Sequence, residues 1–216
     1  MCALPLVVLL WLLRRPTVSR RAAAGFVVLC CLAAAGSIVV LETDEPVWPL
    51  HLATTTASLP ATGYFSFATA TPDVHSIFAA LSGASGQLSM PPRVQTHPPG
   101  PVLFYYVGLR VLEQVPEVTL AVENWAARTY ALTPARFQTL SRWTAMPSVQ
   151  AYHFAPAVIL GLACTLLGAL LPLPVYLALT PLQGRRAGMM GALAAAAVPS
   201  AVVFIPGIDG AAAVLA

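Results

Sequence analysis

Three short clusters in this 216-residue sequence hold side chains able to do chemistry. The first is Thr43-Asp44-Glu45-Pro46. Two adjacent carboxylates can serve as a general base or hold a divalent cation such as Mg or Mn, and the same pair also fits a solvated helix terminus. The second is Thr96-His97-Pro98-Pro99-Gly100-Pro101. The prolines hold the backbone extended, so Thr96 and His97 are presented on a rigid turn, where an imidazole can hydrogen-bond a phosphate or a hydroxyl. The plainer reading is a turn that starts a helix, with Pro101 near its first position. The third is Pro206-Gly207-Ile208-Asp209-Gly210. An aspartate between apolar runs faces a cavity or a partner, or else caps a final helix.

Other chemistry finds little footing. His51, His75 and His153 are scattered without the spacing of metal ligands, and read as satisfied or solvated side chains. Phosphate-loop, dinucleotide and HExxH patterns are missing. Cys2, Cys30, Cys31 and Cys164 lie in apolar runs without CxxC spacing. They therefore read as small hydrophobes, not as a disulfide framework or a zinc site. No residue is assigned as a metal ligand, and a divalent cation at the acidic pair is the one cofactor the residue types leave open.

The elements that must position these residues follow from composition. The chain is 58% hydrophobic and 9% charged, against roughly 25% charged for a soluble domain, which argues against a soluble enzyme. All eleven basic residues are Arg and there is a single Asn, Asn124, a bias expected of a GC-rich bacterial genome. A net charge of +3, dispersed along the chain, excludes a nucleic-acid partner. Residues 22–41 carry no charge and match the thickness of a bilayer core as a helix. Residues 154–180 form a second uncharged run, which Pro172 and Pro174 should kink or end near its last turn. Residues 187–205 form a third, ending near Pro206-Gly207. Residues 1–13 are apolar but short: a fourth span, an interfacial helix or a clipped start.

Arg14, Arg15, Arg20 and Arg21 separate the first two runs, and Arg185 and Arg186 separate the last two. The positive-inside rule places both loops in the cytoplasm and the segment between residues 42 and 153 outside. That segment holds seven of the eight acidic residues and all four histidines. Residues 73–81 read as an amphipathic helix with Asp73 at its start, 82–92 as a loop, and 102–112, which carries Arg110, as an interfacial helix or the outer part of a re-entrant pair. Residues 117–144, with Trp125, Tyr130 and Trp143 among arginines, suit a membrane surface. The predicted fold is all-α. It is a multi-pass protein of the inner (plasma) membrane, with three or four transmembrane helices and a long extracytoplasmic segment containing short interfacial helices. Its parts are residues 1–41, 42–153 and 154–216.

In this order the pieces resemble the GT-C superfamily of integral membrane glycosyltransferases, in particular bacterial members related to protein mannosyltransferases and aminoarabinose transferases. The likeness rests on Asp44-Glu45 after an early span and on Tyr64 to Phe78 leading to Arg93-Val-Gln-Thr-His97-Pro-Pro-Gly100-Pro101. It also rests on Phe204-Ile205-Pro206-Gly207-Ile208-Asp209 after a later span. The resemblance implies a polyprenyl-phosphate sugar as lipid donor, an acceptor it does not identify, and inverting transfer on the extracytoplasmic face. Asp44 would act as catalytic base on the acceptor hydroxyl, with Glu45 assisting. Arg93, Thr96, His97 and Asp209 would bind substrate, Arg93 through a charge-assisted contact to phosphate. Members of the superfamily carry many more spans, so the resemblance also implies that this chain is an N-terminal portion. The competing readings are a non-catalytic membrane scaffold that binds partner helices, to which the small residues Ala33 to Ser37 could contribute packing, and a transporter fragment. Polar residues at the outer helix ends, away from the midplane, disfavour the transporter.

Overall fold

The structure is a computed structural model that describes residues 3–14, 17–44, 47–83, 90–96 and 99–197, with the side chains of residues 3 and 38–44 outside that description. The elements are α1 (Ala3–Leu13), α2 (Arg20–Asp44), α3 (Trp48–Ala57), α4 (Tyr64–Ala70), α5 (Val74–Leu81), α6 (Pro92–Thr96) and α7 (Gly100–Glu113). They continue with α8 (Pro116–Tyr130), α9 (Pro134–Ser141), a single 3-10 turn (Ala151–His153), α10 (Phe154–Gly168) and α11 (Pro172–Ala197). Among the described residues there is no strand, and the chain is all-helical. Two helical stretches are long and apolar enough to cross a membrane, Arg20–Ser37 and Ala151–Ala197. The chain divides into two compact units: Met1–Asp44 with Ala163–Ala216, and Glu45–Leu162.

In the first unit, α2 buries Ala23, Phe26, Val27, Cys30 and Ala34, the spacing that lines one face of a helix. They pack with Leu9 and Leu12 of α1 and with Met189, Ala192 and Ala196 of α11. The outward faces stay apolar: Leu6, Leu10 and Trp11 of α1 and Val28 and Leu32 of α2 are exposed. A water-facing helix would carry polar residues there.

The run expected as one helix over 154–180 is broken. α10 ends at Gly168, residues 169–171 form a turn, and Pro172 opens α11. The break precedes the prolines because a proline lacks an N–H and its ring collides with the carbonyl four residues back, here Gly168. At the start of a helix neither defect matters. α11 is itself two arms, 172–183 and 185–197, separated by Gly184 at φ 85° and ψ 167°, a conformation essentially restricted to glycine. The arms lie against each other. A Cβ on Gly188 would strike the Thr180 hydroxyl, and one on Gly191 would strike Leu179. Arg185 and Arg186 thus follow a tight reversal, where two adjoining spans were expected to be linked.

The second unit is built around α4, whose Tyr64, Phe65, Ser66 and Phe67 are all buried. Phe65 meets Tyr105 of α7 edge-on at 5.6 Å. The first turns of α10 pack closely on α3, since a Cβ on Gly161 would meet Thr56 and Leu52. The stretch 117–144, expected only as surface-associated, forms α8 and α9. α8 ends on Ala131 in the left-handed region at φ 51°, and Thr133 caps α9 by accepting from the Arg136 N–H. Trp48, Trp125 and Tyr130 stack in sequence, and Trp48 Nε1 donates to the Tyr130 hydroxyl at 2.9 Å, tying α3 to α8.

Candidate functional site

The predicted site residues are reached unevenly. Asp44 is the last residue of α2, with its side chain outside the described set. Glu45, His97 and Asp209 lie outside the described residues altogether. Arg93 and Thr96 are described. Both sit on α6, three residues apart, so they share a face, and both are exposed. The Thr96 hydroxyl donates back to the carbonyls of Pro92 and Arg93 at 3.4 and 3.2 Å. The structure therefore brings Arg93 and Thr96 onto one surface, while the other members of the predicted set have side chains outside the described residues.

That surface is held from below. Gly63, at φ 74°, precedes α4 and takes Pro91 so closely that a Cβ there would lie 2.7 Å from the Pro91 Cβ. Val94, on the inner side of α6, is fully buried. Pro101 is buried in the first turn of α7, so the proline-rich turn does start a helix, as its plainer reading has it. The 102–112 run becomes α7, burying Val102, Tyr105, Leu109 and Leu112 and leaving Val107 and Val111 exposed.

α4 also organises a second polar surface. The buried Ser66 Oγ donates to the carbonyl of Ala57 and accepts from the Met146 N–H at 3.4 Å. Ser148 Oγ donates to the Ser66 carbonyl at 3.4 Å and shares a 2.9 Å hydrogen bond with Thr69 Oγ1. These bonds hold residues 146–148 against α4. Between that segment and α9 lies a cavity of about 560 Å³ lined by Gln138, Ser141, Arg142, Met146, Val149 and Gln150, among others. Gln138 Nε2 donates to Gln150 Oε1 at 2.8 Å. At its rim the Arg142 guanidinium stacks over Trp143 at 5.5 Å, and Trp143 is 84% exposed. Carboxamides, a guanidinium and an open indole can together take a ligand rich in hydroxyls, by hydrogen bonding and by stacking. Sequence reasoning missed this cavity. Gln138 and Gln150 form no motif, and the only signal was the presence of aromatics among arginines.

Arg110, Glu113 and Asp73 are locally satisfied. Arg110 forms a two-pronged pair with Glu113 at 2.8 and 3.0 Å, lies over the Tyr106 ring, and donates to the Pro72 carbonyl. The paired Glu113 carboxylate raises the Arg110 pKa further. Asp73 caps α5 by accepting from the Ser76 N–H at 2.7 Å, which holds its carboxyl below the usual range. Burial pushes the His153 imidazole down to about 4, against a weaker opposite pull from Glu113. Its Nδ1 accepts from the Gln150 N–H at 2.9 Å, so the proton of the neutral ring sits on Nε2. His153 is a satisfied, neutral core side chain. Among the described residues no three His, Cys, Asp or Glu side chains gather as a metal site. No protein-family model, curated protein or solved structure matches the chain.

Proposed function

We propose that the chain is a multi-pass protein of the inner membrane, crossing it at 22–41 and within the apolar stretch 154–197, and that it handles a polyprenyl-phosphate sugar on the extracytoplasmic face as a glycosyltransferase of the GT-C type. The observation that carries this reading is the α6 surface. The Glu45–Leu162 unit is a folded helical body with its own aromatic core. Upon it Arg93 and Thr96 stand exposed immediately before His97. An exposed guanidinium beside a proline-stiffened turn suits a lipid phosphate, whose charge must be stabilised as the sugar leaves. Asp44 closes α2 at the opposite end from its arginines, where an acceptor hydroxyl would be deprotonated. The cavity beside Trp143 supplies a surface for sugar hydroxyls.

The test is transfer of a radiolabelled sugar from a polyprenyl phosphate in membranes that lack endogenous transfer. We expect Asp44→Asn and His97→Ala each to lower the rate by at least about a hundredfold, and Arg93→Gln to raise the donor KM. Transfer indifferent to all three would remove the site assignment. No transfer by the wild type would favour a scaffold that binds partner helices.

A further inference from the structure

The first unit carries a second polar feature, unrelated to sugar transfer. Residues 17–18, between α1 and α2, meet the Gly184 reversal of α11 through Arg185, whose Nη1 donates to the Val18 carbonyl at 2.8 Å. A cavity of about 590 Å³ lies there, its walls including Thr17, Val18, Thr180, Gln183, Arg185 and Arg186. We propose that this cavity binds the phosphate headgroup of an anionic phospholipid.

Charge, geometry and surroundings all point to that occupant. One bond to Val18 uses one of the five N–H donors of Arg185 and fixes the plane of its guanidinium, leaving the fork shape that matches phosphate oxygens. Arg186 lines the same cavity. Arg20 and Arg21 begin α2 only two and three residues beyond Val18, and Arg14 ends the turn after α1. With Arg185 and Arg186 these make five described arginines at this end of the unit, whose described side chains, 4–37 and 163–197, include no acid. The acids at the far end of α2 are remote. From Arg20 to Glu42 the helix rises about 33 Å, several times the screening length of physiological salt. The second unit, by contrast, carries five arginines and five acids. The described side chains at this end are therefore net positive, as at basic cytoplasmic pockets between membrane helices that take lipid headgroups. On the 172–183 arm that supplies Thr180 and Gln183 to the wall, Leu177 and Leu182 are exposed, an apolar surface for acyl chains. That surface favours a lipid over free phosphate. The inference requires the first unit to sit in a bilayer and is independent of the transfer reaction.

The experiment uses the full chain purified in detergent. Binding of dioctanoyl phosphatidylglycerol, dioctanoyl phosphatidylcholine and inorganic phosphate is followed by native mass spectrometry. We expect phosphatidylglycerol to be retained at concentrations at least about tenfold below those needed for phosphatidylcholine or inorganic phosphate, with the preference abolished in Arg185→Gln/Arg186→Gln. Arg128→Gln/Arg136→Gln, which removes the same charge from the second unit, should keep it. Should the first double variant fail to fold, Thr17→Glu decides. It places a negative charge in the wall without touching the Arg185–Val18 bond, and should also lose the preference. Equal retention of the two lipids, inorganic phosphate binding as tightly as phosphatidylglycerol, an equal loss in Arg128→Gln/Arg136→Gln, or an unaffected Thr17→Glu would each overturn the proposal.

Discussion

Replacing Ser66 by Ala should loosen the segment that walls the Trp143 cavity while leaving the aromatic core of the second unit in place. Ser66 is fully buried. Its hydroxyl donates to the Ala57 carbonyl and accepts from the Met146 N–H. Ala57 is the last residue of α3, so its carbonyl has no donor within the helix. Two hydrogen bonds at about 1 kcal/mol each are lost, and leaving a buried carbonyl and a partly buried amide without partners sets the total at roughly 2–3 kcal/mol. For a chain of 216 residues that is a fall of about 4–12 °C in Tm. The assay is thermal unfolding of the detergent-solubilised protein followed by tryptophan fluorescence, together with hydrogen exchange at residues 144–149. Protection of the Met146 amide should drop before global unfolding. Thr69→Val serves as the comparison. It removes the part-buried bonds to Ser148 and to the Ser66 carbonyl but not the Met146 contact, and should cost about 1–2 kcal/mol while leaving Met146 exchange unchanged. A Ser66→Ala protein whose Tm lies within about 1 °C of wild type, with Met146 exchange unchanged, would refute the account of Ser66 as the staple between α4 and this segment.

Two further outcomes follow from local chemistry. His153 is held near 4 by burial, below its unfolded value of about 6.5. The unfolded chain thus binds the extra proton first, and the stabilisation is complete above about pH 6.5 and lost as pH falls through about 4. The full shift corresponds to about 3 kcal/mol, or about 2 kcal/mol once the solvent that still reaches the ring is allowed for. The Tm difference between pH 7 and pH 4.5 should shrink in His153→Asn, and an unchanged difference would rule out this source. Ala131→Gly should stabilise the protein by about 0.5–1 kcal/mol by relieving the positive φ that closes α8, read as a higher Tm; a lower Tm would contradict it.

The sequence alone determined the features set by neighbours along the chain. The helix over 73–81 and its Asp73 cap were legible because the cap acts across three residues. The helix at 22–41 was legible because an uncharged run of that length buries itself as a helix. Pro101 at the start of α7 was legible because the first turn of a helix needs no N–H from that residue. The helix that puts Arg93 and Thr96 on one face was not legible, because the surrounding prolines read as an extended turn. Only the tertiary structure decided what depends on distant partners. Gly184 is one of fourteen glycines, and nothing beside it marks a reversal. The reversal exists because Gly188 and Gly191 let the second arm settle against Thr180 and Leu179. The sequence 64–67 could equally have faced a membrane. It is buried because Ser66 and Phe65 find Met146 and Tyr105, 80 and 40 residues away. The cavity beside Trp143 arises from that same pairing, as the lipid cavity arises from Arg185 reaching Val18 across 167 residues. Local rules act over a turn or two of helix, whereas sites are made where the chain returns to itself.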